Sequence, residues 1–88
     1  MADWEPTQND KYFSAALGFI AERKGITKER LSEISGRTTR TIEYILSLER
    51  GAGKKTAFSL VEGLGYNYPQ FLKLGQLILG RVRSRAGR

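Results

Sequence analysis

Residues 25–42 read G-I-T-K-E-R-L-S-E-I-S-G-R-T-T-R-T-I, a pattern that predicts two short helical segments around one turn. Ser32 is small at the point where the two helices would approach most closely, and Gly36 can adopt the positive φ that ends a helix. Ile42, six residues after Gly36, is a branched apolar residue that can fill the angle between the helices. A short helix, a tight turn with glycine and a second helix are typical of a helix-turn-helix.

Cap and stop signals on either side of this stretch predict further helices. Thr7, Thr27 and Thr38 can each cap a helix, because a threonine hydroxyl accepts a hydrogen bond from a free N–H of the first turn. Pro69 fits the first turn of a last helix, and Gly80 is expected to end it. We expect helices over about 8–24, 28–35, 39–48, 55–64 and 69–79. Five helices with short connections predict a compact all-α domain.

The charge is unevenly distributed along the chain. Its net charge is +6, from 15 basic and 9 acidic residues. We divide the sequence into an acidic N-terminal segment (1–10), a helical domain (11–80) and a C-terminal tail (81–88) with four arginines and no acid. This distribution favours a polyanionic partner, most simply double-stranded DNA. A solvated basic surface with a frayed tail has the same composition, so charge alone does not decide between them.

Two residue types are absent, and their absence narrows the possible functions. The chain has no cysteine and no histidine. It therefore lacks thiolate and imidazole metal ligands and the usual general base near neutral pH. We expect no enzyme activity, no metal, no cofactor and no small-molecule substrate. No apolar stretch approaches the roughly 20 residues of a membrane span, so we expect no membrane partner and a cytoplasmic protein.

Three motifs that follow one another along the chain resemble those of a known family. The stretch 25–42 is followed by L-E-R-G at 48–51 and by V-E-G-L-G at 61–65. The chain thereby resembles the lambdoid-repressor and Cro-like (XRE-type) helix-turn-helix regulators over about residues 13–75. The resemblance implies a five-helix lambda-repressor-like DNA-binding domain. It also implies a bacterial or phage-type, nucleoid-associated transcriptional regulator, most simply a repressor, that reads the major groove with the helix starting near Thr38.

Two departures from the family pattern matter. The interval from Leu31 to Gly51 is about three residues longer than the family usually has. Either the recognition helix is one turn longer and reaches about Leu48 or Glu49, or the L-E-R-G match is coincidental and the helix ends near Ser47. In addition, Lys28 takes the place of the usual glutamine early in the second helix.

The resemblance assigns DNA contacts to two sets of residues. The exposed N-terminal face of the third helix would read bases, with Thr39, Arg40, Glu43, Tyr44 and Ser47. Cations and a helix N-terminus would bind phosphates, at Lys28, Arg37, Thr38, Lys54 and Lys55. The same residues also allow a plainer interpretation, in which Arg40 and Glu43 form an ion pair and Tyr44 packs on helix four or five.

The fifth helix is apolar on more than one side. Phe71, Leu74 and Ile78 share one stripe and Leu79 falls on another, which predicts a homodimer formed through these four residues. Alternatively, Leu77 and Leu79 simply cover the first helix. A different function also fits this helix: a small all-α protein-binding module, such as an antitoxin or a phage adaptor, that docks a partner on it.

Overall fold

The computed structural model describes the backbone of residues 5–86 and the side chains of residues 5–80. Its helices are α1 (Gln8–Lys24), α2 (Lys28–Ser35), α3 (Thr39–Leu46), α4 (Lys54–Gly63) and α5 (Tyr68–Ala86). Residues 5–86 contain no strand. The predicted all-α chain of five helices is therefore confirmed for this part of the sequence.

Local capping explains where the helices begin and end. Thr7 accepts a hydrogen bond from the Asp10 N–H at 3.1 Å, while the Asp10 carboxylate accepts one from the Thr7 N–H at 2.8 Å. This reciprocal pair is a capping box. Thr27 and Thr38 cap α2 and α3 in the predicted way. Gly36 ends α2 with a φ of 73°, a conformation that costs glycine little.

The core draws side chains from all five helices. Helix α1 packs along α5, and α2 contacts both α3 and α4. Burying each large apolar side chain contributes about 1.5–3 kcal/mol. Those with no more than 2% of their surface exposed are Leu17, Leu31, Ile42, Ile45, Leu60, Val61 and Phe71. Phe13 joins α1 to α5 through the Phe71 ring, with the two ring centroids 5.3 Å apart.

Helices α1 and α5 meet most closely at a glycine. Gly75 is buried against the backbone of Tyr12, and a Cβ at this position would overlap the Tyr12 carbonyl group. A side chain at position 75 would therefore push the two helices apart. Gly75 thus sets the distance between α1 and α5.

Helix α3 does not contain the additional turn that the sequence predicts. It ends at Leu46, and Ser47 is its C-cap. Leu48 follows with a φ of 61°, and the Glu49 N–H returns to the Tyr44 carbonyl oxygen at 2.9 Å. The additional residues form a tight turn after α3, so the expectation of a helix reaching Leu48 or Glu49 is wrong, and the alternative end near Ser47 is correct.

Helix α5 does not end at Gly80. It continues to Ala86, because a glycine inside a helix costs about 1 kcal/mol but does not forbid helical backbone. The predicted tail (81–88) is thus a continuation of α5 as far as the backbone is described. At the other end, α1 begins inside the acidic segment (1–10). Residues 1–4 of the acidic segment and residues 87–88 of the tail lie outside the described residues.

Candidate nucleic-acid interface

The connection between α2 and α3 is Gly36, Arg37 and Thr38, and hydrogen bonds fix its course. The Ser32 hydroxyl donates to the Arg37 carbonyl oxygen. The Arg37 N–H donates to the Ser35 hydroxyl at 3.2 Å. Ser32 thus has a second role beside its small size, since its hydroxyl satisfies a turn carbonyl that no helix partner reaches.

The Arg37 side chain crosses from this turn to α4. Its Nε donates to the Thr56 Oγ1 at 3.0 Å. Thr56 is only 4% exposed and belongs to the first turn of α4. The same turn carries Lys54 and Lys55, both exposed. Three predicted phosphate ligands therefore lie at the N-terminus of α4, and we call these residues the basic cluster: Arg37, Lys54 and Lys55.

The start of α4 is unusual in its electrostatics. Its N-cap, Gly53, makes no side-chain capping hydrogen bond, and the first turn has no acidic residue. The free N–H groups there carry partial positive charge. Lys54 and Lys55 add to that charge. The arrangement therefore suits an anion and is unfavourable without one.

Helix α3 presents one face to the core and the other outward. Ile42 and Ile45 are buried and fix its rotation. Thr39 is half-buried at the first turn, and Arg40 is exposed. Among the side chains of residues 5–80, none forms a hydrogen bond or an ion pair with the Arg40 guanidinium. Its donors are therefore directed to solvent.

Glu43 pairs with a residue of α2. The Lys28 Nζ lies 3.1 Å from the Glu43 Oε2, and the two side chains are 52% and 54% exposed. The alternative in which Glu43 pairs with Arg40 is therefore wrong. One predicted phosphate ligand and one predicted base-reading residue neutralise each other across the α2–α3 junction.

The turn that follows α3 contacts the C-terminal half of this helix. The Arg50 guanidinium lies 5.2 Å from the Tyr44 ring centroid, in the geometry of a cation–π contact. The Ser47 Oγ donates to the Glu49 carboxylate at 3.2 Å. The sequence places Glu49 and Arg50 in the L-E-R-G motif but predicts no contact for either, because their contacts depend on the positive φ of Leu48.

A shallow open groove runs beside this half of α3. It is lined by Lys28, Glu43, Tyr44, Leu46, Ser47 and Glu49. Two carboxylates and one amine give this groove a negative balance. The outward side of α3 is thus divided into a cationic N-terminal part around Arg40 and a C-terminal part in which Glu43 is paired with Lys28 and Glu49 carries the remaining negative charge.

Helix α5 differs from its predicted role at one residue in particular. Phe71 is completely buried in the core, so it is not available to a second copy of this fold, and its assignment to a dimer interface is wrong. Leu74, Ile78 and Leu79 are half-buried. Leu77 is 58% exposed, so it does not cover the first helix. The exposed apolar surface of α5 therefore centres on Leu77.

Compared with known proteins, the chain matches no family model, no curated protein and no solved structure. Among the helices of the described residues, none has both the length and the apolar character of a membrane span. Within the same residues, no three or more acidic side chains come together in a way that could hold a metal ion.

Proposed function

We propose that this chain is a sequence-specific, double-stranded DNA-binding regulator of transcription. In this proposal α2 and α3 form a helix-turn-helix, and α3 enters the major groove with its N-terminal turn foremost. The observation that carries the proposal is the Arg37–Thr56 hydrogen bond. It brings the side chain of Arg37, the residue just before the α3 N-cap, to the first turn of α4, which also carries Lys54 and Lys55. A duplex needs such phosphate ligands around the helix that reads it.

Two residues at the start of α3 have the chemistry of base readers. The unpaired Arg40 guanidinium can donate two hydrogen bonds to guanine O6 and N7. Thr39 can hydrogen-bond a base edge or contact a thymine methyl group. Tyr44 and Ser47 lie further along the helix, beside the acidic groove, and contribute less to the proposed reading surface.

Phosphates would bind around this reading surface. Arg37, Lys54 and Lys55 supply charge, and Thr38 lies at the α3 N-terminus, where backbone N–H groups attract an anion. Lys28 is a phosphate ligand only after it leaves Glu43. A repressor is the simplest regulator with this architecture, since a bound domain of this size acts by occupying its site.

The proposed regulator is a homodimer through the C-terminal half of α5. Leu77 is the most exposed residue of that surface, and half-buried Leu74 and Ile78 lie within about 100° of it around the helix. Leu79 lies on nearly the opposite side and contributes least to the proposed contact. A two-fold dimer places two recognition helices on half-sites about 34 Å apart. The half-buried residues would complete their burial in such a contact.

The exposed Leu77 also favours a second candidate function. An all-α adaptor or antitoxin would use the same apolar surface of α5 to bind a different protein. The two candidates make different demands on α3, because only the DNA-binding regulator requires Arg40 and the basic cluster.

The test is a selection of bound DNA from random duplexes at two salt concentrations. The proposal predicts a defined consensus that is retained at the higher salt. Enrichment of no sequence at either salt concentration would overturn it and would leave the adaptor as the better description.

A further inference from the structure

Glu43 stands where a duplex would approach, and its charge opposes that approach. A carboxylate on a DNA-facing helix repels phosphates, yet it can accept a hydrogen bond from the amino group of cytosine N4. In the free protein it is bound to Lys28 at 3.1 Å. Both side chains are about half exposed, and exposed ion pairs of this kind are weak and easily exchanged.

The Lys28 amine cannot form a full ion pair with Glu43 and with a DNA phosphate at the same time. While the Lys28–Glu43 pair is closed, the charge of Lys28 is neutralised. Lys28 then displaces few counterions from the DNA phosphates. When Glu43 turns to a base amino group, Lys28 becomes free at the N-terminus of α2. Base reading by one residue is thereby linked to phosphate binding by the other.

We propose that the Lys28–Glu43 pair is a specificity switch, which opens on a matching base pair and stays closed on other sequences. The inference rests on the proposed function and deepens it, since it assigns discrimination to an ion pair that joins α2 to α3. On matching DNA the switch adds one base contact and one phosphate contact. On other DNA it adds neither contact, because Lys28 and Glu43 remain paired with each other.

The experiment measures the salt dependence of binding to the selected duplex and to a random-sequence duplex. Each phosphate contact adds about 0.9 to the slope of log affinity against log salt. Glu43→Gln frees Lys28 on every sequence, so its slope on random DNA should steepen by about 0.9, while its slope on the selected duplex changes little. Lys28→Met should lower the slope on the selected duplex by about the same amount and leave random DNA unchanged.

Glu33→Gln is the matched control. It removes the same charge and breaks the Arg30–Glu33 pair, which is also exposed and has a length of 2.9 Å, but it lies within α2 and leaves Lys28 and Glu43 together. Its two slopes should stay close to wild type. Circular dichroism of each variant confirms that the fold is retained.

Repeating the selection with Glu43→Gln supplies the second readout. The switch predicts that preference is lost at one position of the consensus and kept at the others. An unchanged consensus, or equal slopes for Glu43→Gln and Glu33→Gln on random DNA, overturns the switch. In that case a wild-type protein that still selects a sequence retains its proposed function. If wild type selects none, both proposals fail together.

Discussion

The Arg37 Nε donates a hydrogen bond to the Thr56 Oγ1 at 3.0 Å, and this contact joins the α2–α3 turn to the first turn of α4. It links residues 19 positions apart in sequence. It holds a flexible cation in one place, beside Lys54 and Lys55. The basic cluster is therefore a product of tertiary folding and not of a local charge run.

Removal of the Thr56 hydroxyl tests this link. Thr56→Val keeps the shape of the buried side chain but removes the acceptor, so the free energy of unfolding should fall by about 0.5–1.5 kcal/mol. DNA affinity should also fall, since Arg37 is no longer held in place. Urea denaturation and a double-mutant cycle with Arg37→Met measure the coupling. Strictly additive effects in that cycle would show that the hydrogen bond does not stabilise the fold.

Substitution by alanine at two glycines of α5 should change the stability in opposite directions. Gly75→Ala places a methyl group against the Tyr12 backbone and should lower the stability by about 1–3 kcal/mol. Gly80→Ala meets no atom within 4 Å and lies inside the helix, so it should raise the stability by up to about 1 kcal/mol. Thermal unfolding of the two variants measures both. Destabilisation by Gly80→Ala would contradict a helix that continues to Ala86.

Leu48 has a left-handed backbone, and two truncations separate that strain from its side-chain contacts. Leu48→Gly and Leu48→Ala both remove the apolar side chain, but only glycine adopts a φ near 61° without penalty. The glycine variant should be more stable than the alanine variant by about 1 kcal/mol. Chemical denaturation of the pair gives this difference directly. Equal stabilities would mean that the turn after α3 is not left-handed at this residue.

Arg40 should govern specificity, whereas the basic cluster should govern affinity. Arg40→Ala should cost about 1–3 kcal/mol on the selected duplex and relax one base position. Lys54→Ala should weaken selected and random duplexes alike and lower the salt slope by about 0.9. Fluorescence anisotropy at several salt concentrations distinguishes these effects. If Arg40→Ala weakened both duplexes equally, Arg40 would be a phosphate ligand.

The proposed dimer through α5 depends on Leu77. Leu77→Glu should convert a dimeric wild type into a monomer, because a charge at the centre of an apolar contact is not solvated. Phe19→Glu, at a residue of α1 that is 38% exposed, is the control and should leave the oligomeric state unchanged. Analytical ultracentrifugation measures both. A monomeric wild type at high micromolar concentration would contradict the dimer.

Local chemistry accounts for what the sequence predicted well. The Thr7, Thr27 and Thr38 caps and the glycine at 36 act within a few residues of themselves, so helix boundaries near them were predictable. The end of α3 was not, because Leu48 adopts a conformation that leucine rarely takes. The end of α5 differs from the prediction because Gly80, a residue type typical of helix ends, lies inside this helix.

The sequence predicts the site only in part, because contacts between different helices position its residues. The Arg37–Thr56 and Lys28–Glu43 pairs join residues 19 and 15 positions apart, and no pattern in the sequence specifies either. Periodicity assigns Phe71 to the dimer interface, which is wrong, because an apolar face does not reveal whether the same chain or a second copy covers it. The structure places Phe71 in the core.

Amide chemical shifts during titration with the selected duplex test the central claim most directly. DNA binding through α3 and the basic cluster predicts that the largest changes occur over residues 36–43 and 53–56, with small changes around Leu77. A shuffled duplex of the same composition should cause weaker changes that disappear at higher salt. Changes confined to α5, or no changes with either duplex, would contradict the assignment of a DNA-reading surface to α3.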